Sequence, residues 1–325
     1  MKVLVTGASG HLATNTILQL VESGYSVAAY LRNKNNFLLA EGKNIEVIEG
    51  DYEPDDLDKA MSDCEFVVHT AGESSQGKVR YRYYEKANVE LTQKICAAAV
   101  RQGVRRMIYV STANVFAYGS KDVPGDESKP SRPPFTRSQY VTSKRIAQEH
   151  VLSYQDKMEV IIINPSFMIG PYDQKPGSNI LVLMGMKRKV LFYPPGGKNF
   201  VHVKDASAAI VNSLIRGKNG ECYLLAHENI SYREFFAMLG RSLNKKIKLF
   251  RLPFFVMILL GILGELLKLL GINNSLFMTN VGIVRTNNYY TGKKAQKELG
   301  ITYRPILSAI EESSSWLKSH HYGDY

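Results

Sequence analysis

Tyr140 and Lys144 stand four residues apart in Tyr140-Val141-Thr142-Ser143-Lys144, a spacing that puts both side chains on one face of a helix. A free phenol titrates at about 10 and trades protons poorly near neutrality. An ammonium one helical turn away stabilises the phenolate, so the pair predicts acid–base chemistry at the Tyr140 hydroxyl. The pair follows, by 28 positions, an apolar run at 107–110 that ends in Ser111-Thr112.

A second constellation is built from glycine. Val3-Leu4-Val5 is a β-type run, Thr6-Gly7-Ala8-Ser9-Gly10 a turn, and His11-Leu12-Ala13 opens a segment of helical periodicity. Ala13, Ile17 and Val21 share a stripe there, and Gly24 marks its end. Strand, turn and helix start together make a phosphate cradle. Gly7 permits the tight turn, Gly10 lets backbone approach a pyrophosphate, and the helix N-terminus offers unpaired N–H groups and a positive dipole end. Ala13 replaces a third glycine, and its small side chain keeps helix and strand close.

Residues 26–31 form a second apolar run at βαβ spacing and end in Arg32. A carboxylate there would accept from the ribose 2′-hydroxyl of NAD, whereas a guanidinium fork suits the 2′-phosphate of NADP. With Asn33 and Lys34 following, and no acidic residue from Ser26 through Phe37, Arg32 predicts NADP(H) rather than NAD. An ordinary solvated arginine is the alternative reading.

The elements that must carry these groups alternate as far as residue 165. Strand-like runs at 45–48, 66–69, 107–110 and 160–163 interleave with helical segments at 54–61, 84–102 and 138–154. The short Val/Ile-rich runs are those of buried parallel strands, so the fold expected is α/β, a doubly wound parallel sheet of Rossmann type with a smaller carboxy-terminal substrate lobe. The domains expected are 1–165 for the dinucleotide and 166–325 mainly for substrate, with residues around 200–216 returning to the core. Thr136 with Gln139 reads as a capping box for the Tyr140 helix, and Asp205 as an N-cap.

At 325 residues, 45% hydrophobic and 22% charged, the chain has the composition of a soluble globular protein. Three cysteines without CxxC spacing predict free thiols in a reducing compartment and no metal site. The amino terminus enters a strand directly rather than a signal peptide, and the expected location is the cytoplasm. The net charge of +11 is uneven: residues 174–260 hold 14 Lys/Arg against 4 Asp/Glu. That lobe reads as a basic solvated surface or as one that attracts an anionic ligand or membrane; without a recognised motif, nucleic acid is excluded. Residues 252–264 are uncharged and apolar, too short to span a bilayer. The expectation is a buried lobe helix. The alternative is peripheral membrane contact through 252–271, or the lining of an apolar entrance.

Taken together, the loop 6–13, Gly50-Asp51, His69-Thr70-Ala71-Gly72, Asn88, 111–116, 140–144, Asn164-Pro165-Ser166 and 200–205 identify a likeness. The chain resembles the extended short-chain dehydrogenase/reductases over essentially its whole length. Arg32 and the region 290–316 are most similar to the branch of dihydroflavonol 4-reductases and 3β-hydroxysteroid dehydrogenases. The resemblance implies roles. Thr112 would hydrogen-bond the reacting oxygen, Tyr140 would protonate it, and Lys144 would lower the Tyr140 pKa and hold the nicotinamide ribose. Gly7, Ser9, Gly10, His11, Leu12 and Arg32 would bind the phosphates, Asp51 and Tyr52 would flank the adenine, and Thr70, Ala71, Gly72 and Asn88 would line the cofactor. Pro165 and Ser166 would border the nicotinamide. It also implies pairing into a homodimer through the helices 84–102 and 138–154. Ala113-Asn114 departs from the Asp-Glu pair of the sugar-nucleotide 4,6-dehydratases, which argues against elimination chemistry.

The activity expected is NADPH-dependent reduction of a ketone or aldehyde on a small apolar substrate. Its alternatives are a nucleotide-sugar epimerase that retains NAD and a non-catalytic NADP(H) sensor.

Overall fold

A computed structural model describes residues 1–175 and 177–320. The amino-terminal part alternates β1 (Lys2–Thr6), α1 (His11–Glu22), β2 (Ser26–Leu31), β3 (Ile45–Glu49), α2 (Pro54–Met61) and β4 (Phe66–His69). It continues through α3 (Tyr81–Tyr84), a π-helical stretch (Glu85–Glu90), α4 (Leu91–Arg101), β5 (Arg106–Val110), α5 (Gln139–Leu152) and β6 (Glu159–Pro165). Then come β7 (Phe167–Ile169), α6 (Ile180–Lys187), β8 (Val190–Tyr193), β9 (Gly197–His202), α7 (Val203–Arg216), β10 (Cys222–Leu225), β11 (Glu228–Ser231) and α8 (Tyr232–Ser242). The chain closes with β12 (Lys248–Arg251), α9 (Phe254–Leu269), α10 (Met278–Arg285), β13 (Asn287–Asn288), α11 (Lys293–Leu299) and α12 (Ile306–Ser319).

Seven strands form one parallel sheet in the order β10-β6-β5-β4-β1-β2-β3. Side-chain alternation along β1 sends Val3 and Val5 into one core with Ile17, Leu20, Ile210 and Leu299, while Leu4 enters the other with Met61, Ile95 and Ala147. The sheet is thus covered on both faces, as its Val/Ile-rich strands require. Chain order reverses between β1 and β4, whose ends are matched Thr6 to His69. Ligands of such sheets sit in the crevice beyond that point.

The lobe gathers Phe200, Phe235, Phe236, Leu239, Ile310 and Leu317 around β9 and α8. A reciprocal Ser231–Glu234 capping box starts α8. Three local expectations are corrected. Ser138, not Thr136, caps α5, because Thr136 lies in a separate 3₁₀ turn (Phe135–Arg137). The α7 N-cap is His202, whose Nδ1 accepts the Lys204 N–H at 3.1 Å; Asp205 is buried and pairs with Arg304. The apolar run 252–264 forms most of α9, and that helix is not buried: Phe255, Leu259, Ile262, Leu263 and Leu266 face solvent. A helix with apolar residues on every side gives no periodic sign of which side turns inward.

Candidate active site

The glycine turn sits between β1 and α1 as the spacing predicts. Gly7 has φ +70°, and a Cβ added there would lie 2.8 Å from the Ala71 Cα, so only glycine lets these two segments touch. No side chain caps α1, whose first-turn N–H groups at His11, Leu12 and Ala13 are left for an anion. The Gly7 N–H donates to the Tyr52 hydroxyl at 3.2 Å. Tyr52 itself is held at φ +62°, its N–H donating to the Tyr30 hydroxyl at 3.1 Å. Arg32 is exposed at the end of β2, close enough for its charge to act on the Tyr52 phenol, and Asp51 is exposed beside it. Ser9 is partly exposed in the turn, while Leu12 packs into the core and offers only backbone. The His11 ring turns toward residues 170–173 and is kept neutral by burial, with Asp173 opposing that effect.

On the β4 side, the Thr70 hydroxyl donates to the Thr6 carbonyl at 2.6 Å, fastening the two strand ends together. Behind them His69 is buried with its ring nitrogens 2.8 and 3.0 Å from the Thr6 and Thr92 hydroxyls, and burial pushes its pKa down to about 3. Asn88 clamps the next turn. Its Oδ1 accepts the Glu73 N–H at 2.8 Å, and its Nδ2 donates to the Glu73 carbonyl at 3.0 Å and to Ser143 Oγ at 2.9 Å. A Cβ on Gly72 would strike that Oδ1 at 2.6 Å and lie 3.9 Å from Lys144 Nζ. Asn88 therefore couples the turn to α5.

The α5 face carries Tyr140 and Lys144 together, partly exposed and buried respectively. Burial pushes the Tyr140 phenol up to about 12, and a hydrogen bond with the Thr112 hydroxyl pulls the other way. The Lys144 amine is held by the sheet. Its Nζ donates to the Val110 carbonyl at 2.6 Å and lies 4.6 Å from the centre of the Tyr109 ring. Burial drops the ammonium to about 7. The stem thus turns its amine toward the end of β5. Asn164 holds the Thr112 carbonyl at 3.1 Å, and Ser111 Oγ is buried with no hydrogen-bond partner among the described residues. Pro165 ends β6, and the Ser166 hydroxyl donates to Asn199 at 2.7 Å.

The wall opposite Tyr140 carries no signal in the sequence. The cleft beside its ring is lined by Lys78, Tyr84 and Gln139, and from the other side by Glu265, Lys268 and Phe277. The Tyr84 ring centre lies 6.5 Å from that of Tyr140, and the Tyr84 hydroxyl donates to the Ser75 carbonyl at 2.8 Å. The Glu73 carboxylate is near enough to raise the Tyr140 pKa. Pairings across about two hundred positions, such as Asn280 to the Gln76 carbonyl at 2.8 Å and the Val79 N–H to Asn273 at 2.9 Å, close this wall. No local pattern announces them.

A nicotinamide dinucleotide fits the arrangement: a glycine cradle that any Cβ would fill, uncapped helix amides, a cation at the end of β2, and a hydroxyl–phenol–amine set at the far end. Comparison with known proteins agrees. The family model described as "NAD dependent epimerase/dehydratase family" matches residues 3–226. The chain is 29% identical over 325 residues, covering 98% of itself and 95% of the relative, to a Synechocystis protein named "Putative dihydroflavonol 4-reductase". It is 27% identical to human "Short-chain dehydrogenase/reductase family 42E member 1", covering 99% and 88%. Among solved structures, that of gox2253 superposes with a TM-score of 0.84 at 29% identity, covering 98% of each chain.

Proposed function

From its membership of the NAD dependent epimerase/dehydratase family, hence as an NAD(P)-dependent enzyme acting on CH–OH or carbonyl groups, we propose that this protein is an NADPH-dependent reductase of an apolar ketone or aldehyde. The observation that carries the reading is Tyr140: burial keeps its phenol neutral, the Thr112 hydroxyl hydrogen-bonds it, and the residue lines a cleft. A group that stays protonated at neutral pH is in the right state to give a proton to a forming alkoxide.

The bound dinucleotide supplies the hydride, and the protein supplies position and protons. Gly7, Gly10 and the first-turn amides of α1 would hold the pyrophosphate. Arg32, exposed and flanked by Lys34, would take the 2′-phosphate of NADP as a fork. Lys144, 3.9 Å from the Cβ position at Gly72, would reach the nicotinamide ribose. Pro165 and Ser166 would border the ring. Thr112 would orient the substrate oxygen toward Tyr140, and Tyr84 and Phe277 would give the substrate an aromatic wall.

The test is a turnover screen with NADPH and NADH against ketosteroid, flavonoid, aliphatic and nucleotide-sugar panels, alongside extraction of the purified protein for retained NAD. Consumption of NADPH with a lipophilic ketone and no retained NAD is expected. Retained NAD with interconversion of nucleotide sugars, a reading to which the basic lobe lends support, would overturn the proposal.

A further inference from the structure

The outer face of α9 breaks the usual inside–outside pattern. The helix packs inward through Met257, Gly261 and Gly264, where a Cβ on either glycine would collide with Met278 or Leu276. Its outward stripe at Phe255, Leu259, Ile262, Leu263 and Leu266 follows helical spacing yet is wholly apolar. Phe255 is 65% exposed and Leu259 61%. The two-stranded sheet β8–β12 leads into this helix and adds Phe192 and Phe250, 57% and 50% exposed, with ring centres 5.8 Å apart. Exposed apolar surface of this extent marks an interaction site.

Charge says what the partner is. Residues 180–193 and 241–264, which build this face, contain eight Lys/Arg and no Asp/Glu. Arg188, Lys189, Lys246, Lys248 and Arg251 are exposed around the rings. A second copy, docking by two-fold symmetry, would set like charges against like. An anionic surface neutralises them instead. The helix has 16 residues, about 24 Å in length, and no helix among the described residues is long and apolar enough to cross a membrane.

We propose that this face docks on an anionic phospholipid bilayer, with α9 lying in the interface plane, its apolar stripe among the acyl chains and the lysines and arginines at the headgroups. Glu265 and Lys268 of the same helix line the cleft beside Tyr140. Docking therefore brings the mouth of that cleft to the lipid surface. The attachment itself does not depend on which reaction the cleft performs.

The experiment is sedimentation of the full chain with vesicles of phosphatidylcholine alone or with about 30 mol% of the anionic phosphatidylglycerol, with light scattering in their absence. Wild type is expected to bind the anionic vesicles at least tenfold more tightly, since each cation near such a surface is worth about fivefold. A Phe255→Ser/Leu259→Ser variant is expected to lose at least tenfold on anionic vesicles. A Lys246→Glu/Lys248→Glu variant is expected to lose the lipid preference. Both should keep the wild-type melting temperature and NADPH affinity, because the altered side chains are exposed. Failure of wild type to bind anionic vesicles, or equal binding by all three proteins, would overturn the proposal. So would a wild-type dimer that the serine variant turns into a monomer.

Discussion

Helices α5 and α9 are of similar length, and each violates ordinary patterning in the opposite sense. The α5 helix buries polar groups, with Ser143, Lys144 and Gln148 turned inward, and shows solvent a charged pair, Arg145 and Glu149 at 2.6 Å. The α9 helix turns glycines and one methionine inward and shows solvent phenylalanine, leucine and isoleucine. Buried polar groups and exposed apolar ones are the informative exceptions to hydrophobic packing. Each exception costs stability or solubility, and under the proposals above each falls where the molecule would meet something else: the dinucleotide and substrate at α5, a lipid surface at α9. The cleft beside Tyr140 is bounded by both helices.

Breaking the α5 exception should have the largest effect. Lys144→Met is expected to lower turnover by about 10³-fold and to weaken NADPH binding. It should also stabilise the fold at pH 6, on the order of 2 kcal/mol. Burial depresses the Lys144 pKa from 10.5 to about 7. Below that value the folded chain must hold a buried charge. The unfolded state binds the extra proton between pH 7 and 10.5, so wild-type stability rises with pH across that window and the variant's advantage fades. Thermal melts at pH 6 and 10 check this; equal advantage at both would show that packing rather than charge governs the site.

Next comes the contrast between core and outer stripe. Ile162→Ala, in a fully buried strand of the sheet, should cost about 3 kcal/mol by denaturant unfolding. Leu263→Ala, on the outer face of α9, should cost at most about 0.5 kcal/mol. Similar losses for the two would mean that α9 is covered in the free protein. A smaller change is expected at the cofactor's far end. Arg32→Glu should shift the NADPH-to-NADH preference in kcat/KM by about 30-fold, ~2 kcal/mol, with the melting temperature unchanged. An unaltered ratio would leave Arg32 as a solvated surface residue.

Much of the sheet was legible because its signals are local. The runs at 26–31 and 66–69 and the helix at 54–61 fall where the structure has them, since parallel strands buried on both faces must be continuous stretches of apolar residues. The glycine turn was legible for the same reason: Gly7 and Gly10 answer to backbone geometry a few residues away. What escaped depends on distant parts of the chain. Tyr84 lines the cleft against residues of α9 and α10, and Asn273 and Asn280 tie down the segment before it. Asp205 has the composition of a cap, yet Arg304 claims its carboxylate. The shared face of Tyr140 and Lys144 was readable from spacing, but the path of the lysine stem to the Val110 carbonyl was not.

If a neutral Tyr140 phenol delivers the proton that completes hydride transfer from NADPH, as proposed, then its removal must slow the chemical step. Single-turnover oxidation of bound NADPH by the Tyr140→Phe variant, with a reducible ketone saturating, isolates that step. NADPH affinity is expected to stay within about twofold of wild type, with the chemical step slower by about 10³-fold. Hydride transfer at the wild-type rate in that variant would contradict it.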